Sequence, residues 1–192
     1  MKNSFFAFTG RTKYIYRWAL MRNTERESLA EHSGEVAEIA YALAVIGNKR
    51  LNKNYNCERA AVLALYHDTP EIITGDMPTP IKYNNDEIKR EFRKVEKQAC
   101  ESIIKMLPDD MKEDYSPLFF KEENDIELWK LVKAADKISA LIKCIEERKA
   151  GNTEFIKAEQ SVKKLLETLD CPECTEFVKE FLPSYELTLD QL

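Results

Sequence analysis

Apolar side chains return every third or fourth residue along most of this sequence, and that period commits the chain to helices. Ser28-Leu29-Ala30-Glu31 has the form of a capping box, and the stripe behind it runs through Val36, Ile39, Ala40 and Leu43. Extended back by four, the stripe reaches His32. A second helix is expected over about 57–66, where Ala60, Ala61, Leu63, Ala64 and Leu65 leave almost no polar face, as in a helix surrounded by others. Amphipathic helices are expected over about 86–107 (Ile88, Phe92, Val95, Ala99, Ile103), 125–150 and 155–169, with a short one over 177–182 before Pro183. Only 5 of 192 residues are glycine, too few for the turns of a strand-rich sandwich and with no cluster to cradle a phosphate. The expectation is a single all-α domain over 1–192, long enough to bury roughly 70% of its unfolded surface.

Thr69-Pro70 has the form of an N-cap and a first-position proline, opening a short helix through Glu71 that Gly75 stops. Asp76-Met77-Pro78-Thr79-Pro80 then reads as an irregular connection, directly after the most polar cluster of the core. A net charge of -5 excludes wholesale binding to nucleic acid polymers or anionic lipid, although residues 1–26 hold six basic side chains against the one acidic Glu25 and suit a small anion. The run Phe5-Phe6-Ala7-Phe8 is too short for a signal-peptide core, and nothing approaches a membrane span, so a cytoplasmic protein is expected. Five cysteines, an odd number, point to reduced thiols. Cys171-Pro172-Glu173-Cys174 has neither a second cysteine pair nor a nearby histidine to complete a zinc site.

The only two histidines, His32 and His67, both fall at the core-facing edge of expected helices. Each alone reads as a hydrogen-bonded core residue. Asp68, directly after His67, and Asp136, on the edge of another apolar stripe, change that reading, because buried carboxylates without a cation are costly. Two imidazoles and two carboxylates suit one divalent transition metal (Mn, Co, Ni, Fe or Zn) better than Ca or Mg.

A lone histidine in Ala30-Glu31-His32-Ser33, a pair in Tyr66-His67-Asp68-Thr69 and a distant aspartate in Ala135-Asp136-Lys137 resemble the HD-domain metal phosphohydrolases. Arg17-Trp18, Gly75-Asp76-Met77-Pro78-Thr79-Pro80 and Gly151-Asn152 narrow the likeness to bacterial 5'-deoxynucleotidases of the YfbR type, over nearly the whole chain. The sequence departs from that pattern at Ala19, Met77 and Thr69-Pro70, none of them a ligand position. The resemblance implies an HD-domain helical bundle that hydrolyses 2'-deoxyribonucleoside 5'-monophosphates. One divalent cation, such as Co or Mn, would be held by His32, His67, Asp68 and Asp136. Glu71 and Asp76 would be catalytic; Arg17 would bind phosphate, Trp18 would exclude a ribose 2'-hydroxyl, and Asp76, Met77, Pro78 and Thr79 would contact substrate. Read without the resemblance, Glu71 is a first-turn glutamate, Asp76 a turn aspartate, and Trp18 a core or interface residue. A homodimer is implied too, with apolar residues exposed on the helix over 154–169 compatible with it. The alternatives are another HD phosphohydrolase, acting on a different nucleotide phosphoester, and a non-catalytic nucleotide-binding protein.

Overall fold

The computed structural model describes residues 3–77 and 85–192. Its elements are α1 (Phe5–Thr9), α2 (Leu29–Arg50), α3 (Cys57–Tyr66), α4 (Glu71–Thr74), α5 (Asp86–Ile104), α6 (Lys112–Tyr115), α7 (Ile126–Lys149), α8 (Ile156–Glu167) and α9 (Pro172–Glu180), joined by 3-10 turns. No strand forms among the described residues; the one extended pairing there is an isolated antiparallel bridge, Tyr16 to Ser28. The capping box at the head of α2 forms as expected: Ser28 Oγ accepts from the Glu31 amide at 3.2 Å, and Glu31 Oε2 accepts from the Ser28 amide at 2.7 Å.

Helices α2, α3, α7 and α9 enclose the main core, in which Leu43, Leu63, Ala135, Ile138 and Leu141 are buried. That accounts for the nearly all-apolar α3 and for the 24 residues of α7, the longest stripe in the sequence. A second cluster joins Phe5 to Ile103, Ile104 and Leu107. The short aromatic run near the N-terminus is therefore the apolar face of α1, covering the end of α5.

Two local expectations are corrected. Thr69 does not cap a helix: Pro70 holds the cap position of α4, already in the helical region at φ -59 and ψ -21, and no side chain caps that start. Consecutive turns, with the Thr69 amide on Tyr66 O and the Glu71 amide on Asp68 O, fill the interval. The last helix begins at Pro172 rather than near 177, since a proline is accommodated in a first turn where its missing N–H is no loss. Cys171 and Cys174 are both buried at that start, as free thiols.

Candidate metal centre

Three elements bring the two histidines and two aspartates together. His32 lies in the first turn of α2, His67 caps the C-terminus of α3 with Asp68 next to it, and Asp136 lies near the middle of α7. One ligand atom from each falls within 4.8 Å of the others. His32 is 1% exposed, so its imidazole has no access to bulk water.

Both rings are oriented from behind. His67 Nδ1 donates to the Ala64 carbonyl oxygen at 2.6 Å, which makes Nε2 the nitrogen that faces the carboxylates. His32 Nδ1 lies 3.0 Å from Ser139 Oγ, and that hydroxyl donates its only proton to Glu35; it therefore accepts from His32, and again Nε2 faces inward. His32 Nε2 is 3.2 Å from Asp136 Oδ1, and His67 Nε2 is 3.1 Å from Asp68 Oδ2, yet neither nitrogen is aligned for a hydrogen bond. Two buried ring nitrogens and two carboxylates that converge on one point, with neither nitrogen in an aligned hydrogen bond, are the donor set a divalent cation needs, and these four residues fit one.

The charges agree with that fit. Burial would raise the Asp68 carboxyl, but the neighbouring His67 overrides it and holds Asp68 at about 2. Burial would likewise lower His67, and Asp68 lifts it instead to about 9. His32 is depressed, chiefly by burial. Asp136 is held well below the ordinary carboxylate range, burial being outweighed by His32 and Lys137. A cation held by these residues would take the place of the His67 proton as the counter-charge to the two aspartates.

Arg17 sits over the aspartates, its Nη1 3.4 Å from Asp68 Oδ2 and its Nη2 4.0 Å from Asp136 Oδ1. Burial lowers its pKa, but Asp136, Glu27, Asp68 and Asp76 together raise it, so the guanidinium stays charged. That interaction places Asp76 within electrostatic reach of Arg17. Trp18 stands in the left-handed region at φ 58, with its ring 5.3 Å from that of the buried Phe155 and its Nε1 donating to Glu27 at 3.0 Å. Glu71 is buried at the start of α4, its amide bonded to the Asp68 carbonyl, and Met77 is half-buried. Pro78 and Thr79 lie outside the described residues.

Sequence reasoning missed four neighbours of this centre. Lys137 Nζ pairs with Asp136 Oδ2 at 2.9 Å, and its position directly after a ligand was a usable signal. Glu35 and Ser139 support His32 from the same helix faces as His32 and Asp136, one turn further on. Glu27 carried no local signal, because only the chain reversal between Tyr16 and Ser28 brings it to Arg17.

The family model for "5'-deoxynucleotidase YfbR-like" proteins matches residues 4–185. A 5'-deoxynucleotidase of Yersinia pestis (strain Pestoides F) is 47% identical over 188 residues, covering 98% of this chain and 95% of the relative. Among solved structures, an HD-domain phosphohydrolase from Listeria innocua superposes with a TM-score of 0.81 at 24% identity, covering 95% of this chain and 88% of its own. A cyanophage S-2L HD phosphohydrolase, DatZ, bound to dA and one catalytic Zn2+ ion, superposes with a TM-score of 0.67 at 19% identity, covering 95% and 96%. At those identities the two structures establish a shared fold, and the HD-domain helical bundle is the fold of this chain.

Proposed function

The chain belongs to the YfbR-like 5'-deoxynucleotidase family and is a 5'-deoxynucleotidase, and on that premise we propose how its own residues divide the work. The observation that carries the reading is the convergence of two ring nitrogens and two carboxylates beneath the two terminal nitrogens of a half-buried arginine. Such a centre receives a phosphate monoester dianion: His32, His67, Asp68 and Asp136 hold one divalent cation, with Co, Mn and Zn all compatible with this donor set. When bound, the cation lowers the pKa of a water and offsets charge on the phosphate.

Arg17 presents Nη1 and Nη2 side by side, a fork matched to two phosphate oxygens. A water adds to phosphorus in line with the departing O5', which leaves carrying a proton. Glu71, three residues past Asp68 and tied to it through the backbone, is the group we assign to that proton, with Asp76 the other carboxylate suited to it. Asp76 and Met77 are assigned to substrate contact, as on the family likeness are Pro78 and Thr79, which lie outside the described residues. Trp18, held on Phe155, bears on the sugar and leaves a 2'-hydroxyl without room or partner. The family likeness also supports a cytoplasmic homodimer, for which Ile156 and Leu165, both exposed on α8, offer apolar surface. No helix among the described residues is long and apolar enough to cross a membrane.

The test is phosphate release from dAMP and AMP under each of Mn, Co, Zn and Mg. The parent should prefer dAMP by about 10-fold or more, as expected when a site rejects a hydroxyl it cannot accommodate. Trp18→Ala should narrow the ratio more than it lowers the dAMP rate. Equal hydrolysis of AMP by the parent would overturn the substrate assignment.

A further inference from the structure

Glu27 meets the four metal-site residues only from behind, its Oε1 3.9 Å from His32 Nδ1, the ring nitrogen opposite the one facing Asp136, while its other oxygen holds both groups assigned above to the substrate. Its Oε2 accepts from Arg17 Nε at 3.1 Å and from Trp18 Nε1 at 3.0 Å. Its backbone carbonyl accepts from the Arg17 amide at 3.0 Å, so the same residue grips position 17 by main chain and side chain. Arg17 and Glu27 side chains are each 11% exposed, which keeps water from competing for these bonds.

The consequences differ for the two partners. Arg17 stands between three carboxylates, Glu27 on one side and Asp68 and Asp136 on the other. Without Glu27 the guanidinium would turn wholly onto the two aspartates, spending the fork on residues that a cation has to occupy. Glu27 engages Nε and so turns Nη1 and Nη2 together, as the paired end of the fork, toward the side of Asp68 and Asp136. Trp18 has a positive φ that a bulky residue adopts at a cost of about 1–3 kcal/mol, and such a conformation persists only when the surroundings over-determine it. The ring contact with Phe155 fixes its face, and the bond to Glu27 fixes its rotation about that contact.

We propose that Glu27 is the positioning residue that couples phosphate capture to sugar selection, one carboxylate oxygen aligning Arg17 and Trp18 together. This rests on the roles given to Arg17 and Trp18 above. Removing the acceptor loosens both at once, whereas a neutral acceptor in the same place preserves the alignment and loses only the charge.

The experiment compares Glu27→Met, which keeps the volume without an acceptor, with Glu27→Gln, whose carbonyl oxygen can accept both bonds. Four readouts are taken: the dAMP to AMP ratio of kcat/KM, the inhibition constant of inorganic phosphate, acrylamide quenching of Trp18 fluorescence in a Trp129→Phe background, and metal stoichiometry. Glu27→Met should cut the ratio by about 5-fold or more, weaken phosphate by about 10-fold, and raise quenching of Trp18. Glu27→Gln should keep the ratio and the quenching near the parent and bind phosphate at least as well as the parent, since the alignment stays and a like charge beside the anion is gone. Metal stoichiometry should be unchanged in both. Equal loss for dAMP and AMP with unchanged quenching in Glu27→Met, or Glu27→Gln matching Glu27→Met in every readout, would overturn the proposal. If the parent fails to prefer dAMP, the substrate assignment falls, and the coupling is then decided by quenching and phosphate inhibition alone.

Discussion

At the scale of single residues, the support behind His32 carries its own pH signature. Burial raises the Glu35 carboxyl from its ordinary 4.5 to about 7, the bond from Ser139 opposing it and Glu27, Glu146 and Glu38 adding to it. Between those two values the folded protein keeps a proton that the unfolded chain has released, so this group costs stability progressively as pH climbs through the window. Glu35→Gln cannot titrate. Its melting temperature relative to the parent should therefore be lowest near pH 5 and climb toward pH 8, measured by calorimetry across that range. A constant difference would mean that Glu35 ionises in the folded protein as readily as in water. Its direct neighbour Ser139 was invisible as a site residue because a serine on an apolar helix stripe reads as packing; its hydroxyl acquires meaning only beside His32.

At the scale of elements, the approach of α2 to its surroundings is set by a glycine inside the helix. A Cβ on Gly47 would meet ring carbons of Tyr55 at 2.6 and 2.8 Å and Glu173 Cγ at 3.2 Å. Tyr55 cannot easily swing aside, since Asn48 binds its amide at 2.7 Å and its carbonyl at 2.9 Å, and its hydroxyl donates to Glu173 at 3.1 Å. Replacing an interior helical glycine by alanine ordinarily gains about 1 kcal/mol, while overpacking costs about 1–3 kcal/mol. With contacts this short the second effect should win, and Gly47→Ala should lower the melting temperature by several degrees; a rise would show that the Tyr55 ring relaxes freely. The segment that carries Arg17 and Trp18 is fastened by a different element. Glu147, buried near the end of α7, accepts from the amides of Thr24 and Glu25 and from Lys143 and Asn152, while Asn152 also donates to the Arg22 carbonyl. Burial alone would raise Glu147, but these bonds hold it at about 2, which keeps the anchor ionised through the neutral range.

At the scale of the whole molecule, the metal centre joins α2, α3 and α7, the helices that also enclose the main core. A ligand binding only the folded form adds stability to the global unfolding reaction, about 2.7 kcal/mol at a hundredfold excess over its dissociation constant. For a domain of 192 residues that corresponds to a rise of roughly 5–10 °C in melting temperature. Adding Mn, Co or Zn should produce such a rise, a chelator should reverse it, and His67→Ala or Asp136→Ala should abolish it. An unchanged melting curve in the parent would contradict a cation site bridging these helices.

The sequence by itself determined the helical class, the start of α2, the spans of α3, α5, α7 and α8 to within a few residues, and the four side chains that meet at the centre. Each rests on local information: a 3.6-residue period, a capping box, and titratable residues placed where an apolar stripe has no other use for them. Local rules misplaced the start of the last helix, because a period begins to show only after its first apolar residues, and they assigned Thr69 a cap that consecutive turns ending on Pro70 make unnecessary. The tertiary structure alone decided that Glu27 meets Arg17 and Trp18, that Glu35 and Ser139 stand behind His32, and that Glu147 ties residues 24 and 25 to the far end of α7. The Glu147 contact with Thr24 spans 123 positions in the chain. Partners so far apart leave no period or motif behind, and they are selected only when packing of the core fixes which helix ends lie side by side.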